Sequence, residues 1–522
     1  MLPPFSFSDV PALRNNTRPL IGTVAPAVTS ENFKSPRCLQ KPAAKSFTHR
    51  LNIESRARCA ATLKDGAADL EKGVISLSTG RPAAEYFPFL RLAMQLPKGP
   101  PFGTASCLST SKTIGKYDLR DGSASFDLAT CLNYGYSAGS EQLLRFVTEH
   151  VEVVHDPPYS DWQCSLTIGS TSALDAAYRM FCSRGDYILT EEFTYSGAIE
   201  AARPLGLRLA PVKMDEQGLS ASDLDVVLSD WDPVERGAEK PFLLYVIPTG
   251  QNPTGATQSA QRRKEIYAVA ERHDLYIIED DPYYYIHFNG EQSPIVRPEQ
   301  RSDGLPNERV AEFLSRLAPS YLSLDVSGRV LRLDSTSKML APGLRCSWMT
   351  GASDIISRFL YHHDLSIVSP SGLSQLAIHT LLDEVWGHEG FISWLDYLRT
   401  EYLQRRDVVQ GACQDLLPKE ICSWQVPDAG MFYWIRIDWR AHPAAKGTNE
   451  SELEVFMAVE DCIYRTALKH GVMFCKGSAF RADNEQCREL FFRATFATAT
   501  LQQLVEAIRR FRKALLEEFY NA

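Results

Sequence analysis

The sequence predicts an α/β protein with a mostly parallel sheet covered by helices, followed by a smaller α+β domain. From about residue 130, short apolar runs alternate with amphipathic helical patterns, which is typical of parallel sheets built from strand–helix–strand units. After about residue 390 this alternation ends and longer helical segments dominate. The composition, with 44% hydrophobic and 23% charged residues, is ordinary for a soluble globular protein.

Seven apolar runs are the strand candidates of the large sheet. They occupy residues 163–169, 186–190, 208–212, 242–248, 275–280, 330–334 and 346–351. The first run precedes a helix that Ser170 or Thr171 can cap, and another helix is predicted at 259–274. The C-terminal pattern predicts helices at 392–417, 451–470 and 501–519, with apolar runs at 430–437 and 489–497, as in an α+β domain.

Residues 1–46 differ from the rest of the chain. They contain seven prolines and six Lys or Arg residues against two acidic residues. Because they show no hydrophobic periodicity, we expect a disordered N-terminal extension. A transit peptide is the alternative, although the prolines would interrupt the amphipathic helix that such a signal needs. We therefore expect a cytoplasmic protein, or a mitochondrial one if residues 1–46 act as a signal.

Charge and composition exclude several classes of function. The net charge of −9 argues against a nucleic-acid-binding surface. No apolar run of eighteen residues is present to span a membrane. The twelve cysteines include no Cys-x-x-Cys pair and no Cys/His cluster, so we expect reduced thiols in an intracellular protein and no metal site.

Polar side chains follow several predicted strands at the edge where α/β sheets bind ligands. The stretch "LDSTSKMLAPGLR" (333–345) places Ser335, Ser337, Lys338 and Arg345 within thirteen residues. Hydroxyls and a forked guanidinium suit a phosphate group. A lysine in a desolvated pocket beside another cation can form a Schiff base, whereas the ordinary alternative for Lys338 is a surface loop.

Three further strand ends carry candidate groups. "IGSTSALDA" offers a helix N-terminus at Gly169 that suits an anion. Asp280, in "YIIEDDPYY", is either a capping acid or a carboxylate that keeps a pyridine nitrogen protonated. Asn252, in "TGQNPTG", is either a turn residue or a ligand donor. No Walker A or Gly-x-Gly-x-x-Gly motif opens a helix here, so nucleotide phosphate is not favoured.

Nine stretches together resemble fold-type I pyridoxal-phosphate-dependent aminotransferases, above all the fungal aromatic amino acid and mammalian kynurenine/2-aminoadipate aminotransferases. They are "ISLSTGRPAAEYFPF" (75–89), "LNYGYSAGSEQLLRF" (132–146), "TIGSTSALD" (167–175), "EEFTYSGAI" (191–199), "PTGQNPTG" (248–255), "IIEDDPYY" (277–284), "DVSGRVLRLDSTSKMLAPGLRCSWMTG" (325–351), "PDAGMFYWI" (427–435) and "LFFRATFA" (490–497). The resemblance runs from about Phe47 to the C-terminus.

The resemblance implies that pyridoxal 5'-phosphate binds covalently to Lys338, which also moves the substrate proton. It implies that the phosphate is bound by a set of hydroxyls and one guanidinium: Ser170, Thr171, Ser335, Ser337 and Arg345. Tyr134 corresponds to a tyrosine that reaches the phosphate of the partner subunit, which implies a homodimer with shared active sites.

The remaining implied roles concern the cofactor ring and the substrate. Asp280 corresponds to the acid on the pyridine nitrogen, and Tyr195 to the aromatic residue stacked on the ring. Asn252 and Tyr283 correspond to donors to the ring 3-oxygen. The implied substrate contacts are Gly80, Tyr134, Asn252, Arg58 and Arg493, of which Arg493 corresponds to the arginine that binds the α-carboxylate.

The resemblance implies the PLP-dependent transferase fold of type I, with a seven-stranded sheet in the large domain. Residues 47–125 are expected to contribute to the small domain and cover the active site, 126–385 to form the large domain, and 386–522 the small domain. The implied reaction moves the amino group of an L-amino acid, aromatic or 2-aminoadipate-like, to a 2-oxo acid such as 2-oxoglutarate by a ping-pong mechanism.

Two departures from the family pattern leave the substrate open. Thr79–Gly80 stands where the family often has Gly-Gly, and Ala60–Ala61–Thr62 stands where it has Pro-Ser-Pro, just after Arg58. Arg58 is either a contact for a distal carboxylate or a solvated charge. A dedicated amino acid of secondary metabolism is therefore an alternative substrate. A lyase or decarboxylase of the same fold is a rival, and an aminotransferase-like transcriptional regulator would need more than the 46-residue extension for its winged helix.

Overall fold

The computed structural model describes residues 4–17, 20, 28–61, 80–103, 108–288, 306–445, 451–483 and 489–520. Its α-helices are Val10–Asn16, Pro36–Leu39, Ile53–Ala57, Leu128–Cys131, Glu141–His155, Ser170–Phe181, Ser196–Ala202, Ala221–Ser229, Pro233–Arg236, Ala260–Arg272, Pro306–Ser315, Tyr321–Leu324, Thr336–Met339, Ser353–Ser366, Gly372–His379, Gly387–Leu416, Glu452–Lys469 and Leu501–Tyr520. A π-helical segment, Thr380–Trp386, joins the helices on either side of it.

All seven strand candidates form one mostly parallel sheet, which confirms the predicted α/β class. Their order across the sheet is Trp162–Thr167, Ser347–Ala352, Val330–Ser335, Tyr276–Asp280, Leu243–Val246, Tyr187–Glu191 and Arg208–Val212. The strand Ser347–Ala352 is antiparallel to both of its neighbours, whereas Val330–Ser335 runs parallel to Tyr276–Asp280. Two-stranded antiparallel sheets are formed by Arg91–Pro97 with Ser109–Gly115 and by Met214–Asp215 with Gly218–Leu219.

The chain falls into two compact units, both discontinuous in sequence. The first unit comprises Met1–Arg184, Asp274–Pro282 and Arg301–Asp396, and the second comprises Gly185–His273, Tyr283–Gln300 and Tyr397–Ala522. The predicted domain boundaries at 46/47, 125/126 and 385/386 were placed where the sequence pattern changes, whereas the two units are defined by spatial contacts. The boundaries stay a prediction. Parts of 1–46 and of 47–125, namely 1–3, 18–19, 21–27, 62–79 and 104–107, lie outside the described residues.

The described parts of residues 1–46 are ordered, which corrects the prediction of a disordered extension. Arg14, on the helix Val10–Asn16, binds both carboxylate oxygens of the buried Glu149 at 2.8 and 2.6 Å. Phe7 stacks on the ring of His388 at 4.8 Å between centroids. Two of the prolines lie at the first turns of short helices, where their missing N–H is not needed. The composition wrongly predicted disorder because basic residues such as Arg14 form ion pairs with buried acids instead of being solvated.

A buried ion cluster lies on one face of the strands that lead to the predicted site. Arg332 is fully buried and pairs with Glu279 of the neighbouring strand at 2.9 Å. It also donates twice to Asp334, at 3.0 and 2.9 Å. Successive side chains alternate between the faces of a strand, so Asp280 and Ser335 point to the face opposite this cluster. Burial raises the pKa of Asp334, and Arg332 opposes that shift.

The C-terminal part forms a four-stranded antiparallel sheet packed on helices, as the predicted α+β pattern requires. The strand order is Cys422–Trp424, Phe432–Ile437, Leu490–Thr495 and Cys475–Lys476. Its core includes Ile435 and Phe492, both fully buried, together with residues of the helix Leu501–Tyr520. Among the described residues, no helix combines the length and apolar character that crossing a bilayer requires.

Candidate active site

A helix N-terminus and one arginine lie together in the first unit, an arrangement whose donors would suit an anion. The helix Ser170–Phe181 begins directly after Gly169, whose φ of +115° is open to glycine but strained for other residues. A Cβ at Gly169 would collide with Nη2 of Arg345, so the guanidinium is held against the backbone at the helix start. The Oγ of Ser170 is buried there without a hydrogen-bond partner among the described residues. Thr171 is exposed on the first turn of this helix.

The turn that follows the strand Val330–Ser335 brings more hydroxyls to the same arginine. The Oγ of Ser335 caps the short helix Thr336–Met339 by accepting from the Ser337 N–H at 3.1 Å. Nη1 of Arg345 donates to the Ser337 Oγ at 3.4 Å. Lys338, half-buried, lies on the same short helix, one residue after Ser337. The contacts of Arg345 thus join the turn with Lys338 to the helix start at Ser170.

Asp280 ends the strand next to Val330–Ser335. It pairs in register with Leu333, and its side chain is buried with 6% exposure. Strand alternation places Asp280 and Ser335 on the same face of the sheet. Burial, the largest cause, together with nearby Cys182 and Asp280, raises the pKa of Tyr178 well above its ordinary value, so this phenol stays neutral.

In the second unit, Asn252 and Arg493 are in direct contact. Nη1 of Arg493 donates to Oδ1 of Asn252 at 2.6 Å, and Nη2 donates to Sγ of Cys475 at 3.4 Å. Arg493 lies on the strand Leu490–Thr495, opposite Trp434 in register. The Asn252–Pro253 bond is cis. Arg493 is half-buried.

Two tyrosines of the second unit occupy positions fixed by close packing. The ring of the half-buried Tyr195 lies over Gly197, where a Cβ would come within 2.5 Å of the ring. Tyr283 is buried and meets the ring of Phe432 edge-on at 5.8 Å between centroids. Both tyrosines lie within stretches that carry the family resemblance, and their roles stay a prediction.

The other predicted site residues lie at the surface of the first unit. Tyr134 is 57% exposed beside a depression of about 400 Å³ that Tyr136, Ser140 and Gln375 also line. Gly80 is exposed, and a side chain at this position would meet no atom within 4 Å among the described residues. Its neighbour Thr79 lies outside the described residues.

Arg58 follows the helix Ile53–Ala57, and its carbonyl accepts from Nη1 of Arg358 at 2.8 Å. Burial first, and then the neighbouring Arg58 and Arg179 cations, lowers the pKa of His362. Arg58 is half-buried among the described residues, and whether it contacts a distal carboxylate or is a solvated charge stays a prediction. The described residues include no group of three His, Cys, Asp or Glu side chains able to hold a metal ion.

Three neighbours of Arg493 were not predicted from the sequence. The guanidinium lies over the rings of Phe432 and Phe480, at 4.4 and 4.6 Å from their centroids. Phe432 and Trp434 are two residues apart in "GMFYWIRI", so strand alternation places them on the same face. Because Trp434 pairs with Arg493, Phe432 could have been placed near Arg493 once the pairing of the two strands was known. Phe480 and Cys475 carry no local signal because distant pairing alone brings them to Arg493.

Comparisons with known proteins show which family the chain belongs to. Residues 99–511 match the family model described as aminotransferase class I and II. The chain is 41% identical over 496 residues to the aminotransferase swnA of Arthroderma benhamiae, covering 94% of this chain and 95% of that protein. It is 38% identical over 486 residues to an aromatic amino acid aminotransferase of Schizosaccharomyces pombe, covering 91% and 98% of the two chains.

A solved structure extends the agreement to the fold. The crystal structure of the aminotransferase Aro8 from Candida albicans superposes with a TM-score of 0.83 at 38% identity, over 92% of this chain and 100% of that chain. Matches of this extent cover the helix start at Ser170, the lysine turn and the Arg493 strand together. The chain therefore belongs to the class I and II aminotransferases and transfers an amino group between an amino acid and a 2-oxo acid.

Proposed function

We propose that the protein is a pyridoxal-phosphate-dependent aminotransferase that moves the amino group of an aromatic or 2-aminoadipate-like L-amino acid to a 2-oxo acid such as 2-oxoglutarate. The observation that carries this proposal is the set of contacts around Arg345, which join the helix start at Gly169 to Ser337, one residue before Lys338. The relatives named as aromatic amino acid aminotransferases support the substrate class.

The residues of the first unit fit a phosphate-bearing cofactor. The Oγ of Ser170 is buried without a partner among the described residues, so a bound anion would satisfy it. The helix N-terminus, the Arg345 fork and the hydroxyls of Ser335 and Ser337 are donors that phosphate prefers. Asp280 would keep the ring nitrogen protonated. Lys338 would bind the aldehyde carbon of the cofactor.

The reaction then follows from what each side chain does. When bound, pyridoxal phosphate supplies an aldehyde for the amino group and a protonated ring that draws electrons from the substrate Cα. Asp280 holds the proton on the ring nitrogen. Lys338 Nζ would take the proton from the substrate Cα as a general base and, as a general acid, deliver it to the former aldehyde carbon of the cofactor. Arg493 would bind the substrate carboxylate, and Tyr195 would pack against the cofactor ring. Asn252 and Tyr283 would donate to the 3-oxygen of that ring.

A screen of L-amino acids against 2-oxoglutarate, following oxo-acid formation by the purified protein, tests the proposal. We expect aromatic amino acids or 2-aminoadipate to give the highest kcat/KM and double-reciprocal plots to be parallel, as in a ping-pong mechanism. Release of CO₂ and an amine instead of an oxo acid would identify the decarboxylase alternative. Release of ammonia with an oxo acid, without consumption of 2-oxoglutarate, would identify the lyase alternative. High activity with one unusual amino acid alone would favour the secondary-metabolite alternative.

Arg493→Lys is expected to raise the KM of every amino-acid and oxo-acid substrate by a similar factor. Lysine keeps the charge but loses the fork that binds a carboxylate with two hydrogen bonds. A lost charged hydrogen bond corresponds to about ten- to a hundredfold weaker binding. Arg436→Lys, on the neighbouring strand and paired with Glu489, is the matched control and should leave KM unchanged. A loss confined to one class of side chain would show that Arg493 contacts the side chain instead.

Arg58 is proposed to select among substrates by meeting the distal carboxylate of 2-aminoadipate or 2-oxoglutarate. Arg58→Ala should lower kcat/KM for dicarboxylic substrates about fivefold more than for phenylalanine, the scale of a partly exposed ion pair. Arg56→Ala, in the short helix that precedes Arg58 but exposed, should change neither. Equal losses for both classes of substrate would leave Arg58 with a structural role only.

The protein is proposed to act as a homodimer with shared active sites. Tyr134, which the resemblance assigns to the phosphate of the partner subunit, is 57% exposed in the single chain. A large exposed aromatic beside a depression is common at protein interfaces, where tyrosine is enriched. The compartment stays a prediction, cytoplasmic or, if residues 1–46 act as a signal, mitochondrial.

A further inference from the structure

We propose that Phe480 and Phe432 are positioning residues for Arg493: their rings hold its guanidinium plane in the orientation that binds a substrate carboxylate. This inference rests on the proposed role of Arg493. The guanidinium carbon lies 4.4 Å from the Phe432 centroid and 4.6 Å from the Phe480 centroid. Both distances fall within the range in which the electron-rich ring face attracts a cation.

The hydrogen bonds of the Arg493 guanidinium do not by themselves fix the orientation of its plane. An arginine side chain has five N–H donors. Nη1 reaches Asn252 and Nη2 reaches the weakly accepting Sγ of Cys475. The buried Nε has no hydrogen-bond partner among the described residues. The remaining Nη hydrogens are therefore available to a carboxylate, and the two ring contacts restrict rotation of the plane that carries them.

The rings of Phe480 and Phe432 are both buried and pack against further aromatic side chains. Phe480 is buried with 3% exposure and meets Trp434 edge-on at 5.9 Å between centroids. Its carbonyl accepts from the N–H of Thr194 at 2.8 Å, directly before Tyr195. Phe432 is buried with 7% exposure and packs edge-on against Tyr283. The surface that supports Arg493 is thus rigid and continuous with the segments that carry Tyr195 and Tyr283.

A neighbouring aromatic pair provides a matched control. Phe491 stacks on Trp434 at 4.9 Å with their planes 13° apart, in the same aromatic group as Phe480. Among the described residues, the cation–π contacts of the Arg493 guanidinium are with Phe432 and Phe480, not with Phe491. Phe491→Leu therefore removes a similar aromatic surface from the same group without removing a ring from Arg493.

The first experiment measures binding of 3-phenylpropionate, which has a carboxylate but no amino group, to the cofactor-loaded protein by calorimetry. Phe480→Leu and Phe432→Leu should each weaken binding about tenfold, the scale of one ring contact with a partly desolvated cation. For amino-acid substrates, KM should rise by a similar factor while kcat changes less than about threefold, because the carboxylate is bound alike in the ground and transition states. Phe491→Leu should leave both KM and binding within about twofold.

The second experiment separates ring electronics from packing. Replacing Phe480 by mono-, di- and trifluorinated phenylalanine keeps the shape of the ring but progressively weakens the negative potential of its face. Binding of 3-phenylpropionate should fall stepwise with fluorine content, while the thermal unfolding midpoint stays near that of the unmodified protein. Unchanged binding across the series, or an equal loss in Phe491→Leu, would overturn the inference. If Arg493→Lys itself leaves carboxylate binding intact, the proposed role of Arg493 fails instead.

Discussion

Lys338→Ala is expected to abolish transamination while leaving the fold intact. The alanine variant has no amine to bind the cofactor covalently or to take the proton from the substrate Cα. A positioned acid–base group alone contributes about 10²–10⁴ in rate, so we expect residual activity below about one ten-thousandth of the wild type. The side chain is only half-buried and sits on a four-residue helix, so its loss should hardly change thermal unfolding. Oxo-acid formation and a melting curve measure the two effects.

The assignment can be checked without a variant. Borohydride reduction of the cofactor-loaded protein should attach the cofactor irreversibly to the peptide that contains Lys338, and mass spectrometry of that digest identifies the labelled lysine. Lys264→Ala, which removes an exposed lysine from the helix Ala260–Arg272, should retain full activity and labelling. A label on a different lysine would show that the site has been misassigned.

Asp280→Asn is expected to lower kcat about a thousandfold or more, or about 4 kcal/mol of transition-state stabilisation. Asparagine nearly preserves the shape of the side chain but carries no charge, so it cannot hold the pyridine nitrogen protonated. The electrons released when Cα loses its proton then have a much poorer acceptor. Asp280 is buried, and the low local dielectric strengthens its charge interaction with the ring. Steady-state oxo-acid formation measures the loss in kcat.

The matched change for this position is Asp280→Glu, which keeps the charge but lengthens the side chain. It should retain more activity than Asp280→Asn if charge matters more than shape. A loss below tenfold for Asp280→Asn would contradict the proposed role of this carboxylate. A loss of cofactor binding without a change in kcat at saturating cofactor would instead indicate that Asp280 only anchors the ring.

Much of the fold could be predicted because local patterns were strong. Each of the seven strands appears within a few residues of its predicted bounds, since continuous apolar runs are local properties of sequence. The helix Ser170–Phe181 begins where the sequence predicts, although its N-cap is Gly169 rather than Ser170 or Thr171. The prediction of disorder was wrong for the described parts of residues 1–46, because their contacts are with residues far along the chain. Arg14 forms ion pairs with Glu149 and Asp383, which are more than a hundred residues away in the sequence.

The sequence by itself determined the strand-end groups and their chemical types: a lysine three residues after a capping serine, an acid at a strand end, and a glycine before a helix start. These features are short-range, and the family resemblance rests on them. Only the tertiary structure decided which groups are in contact. Strand pairing brings Cys475 beside Arg493, and packing lays the rings of Phe432 and Phe480 under its guanidinium. Such contacts come from long-range pairing, for which a single sequence holds no periodic signal.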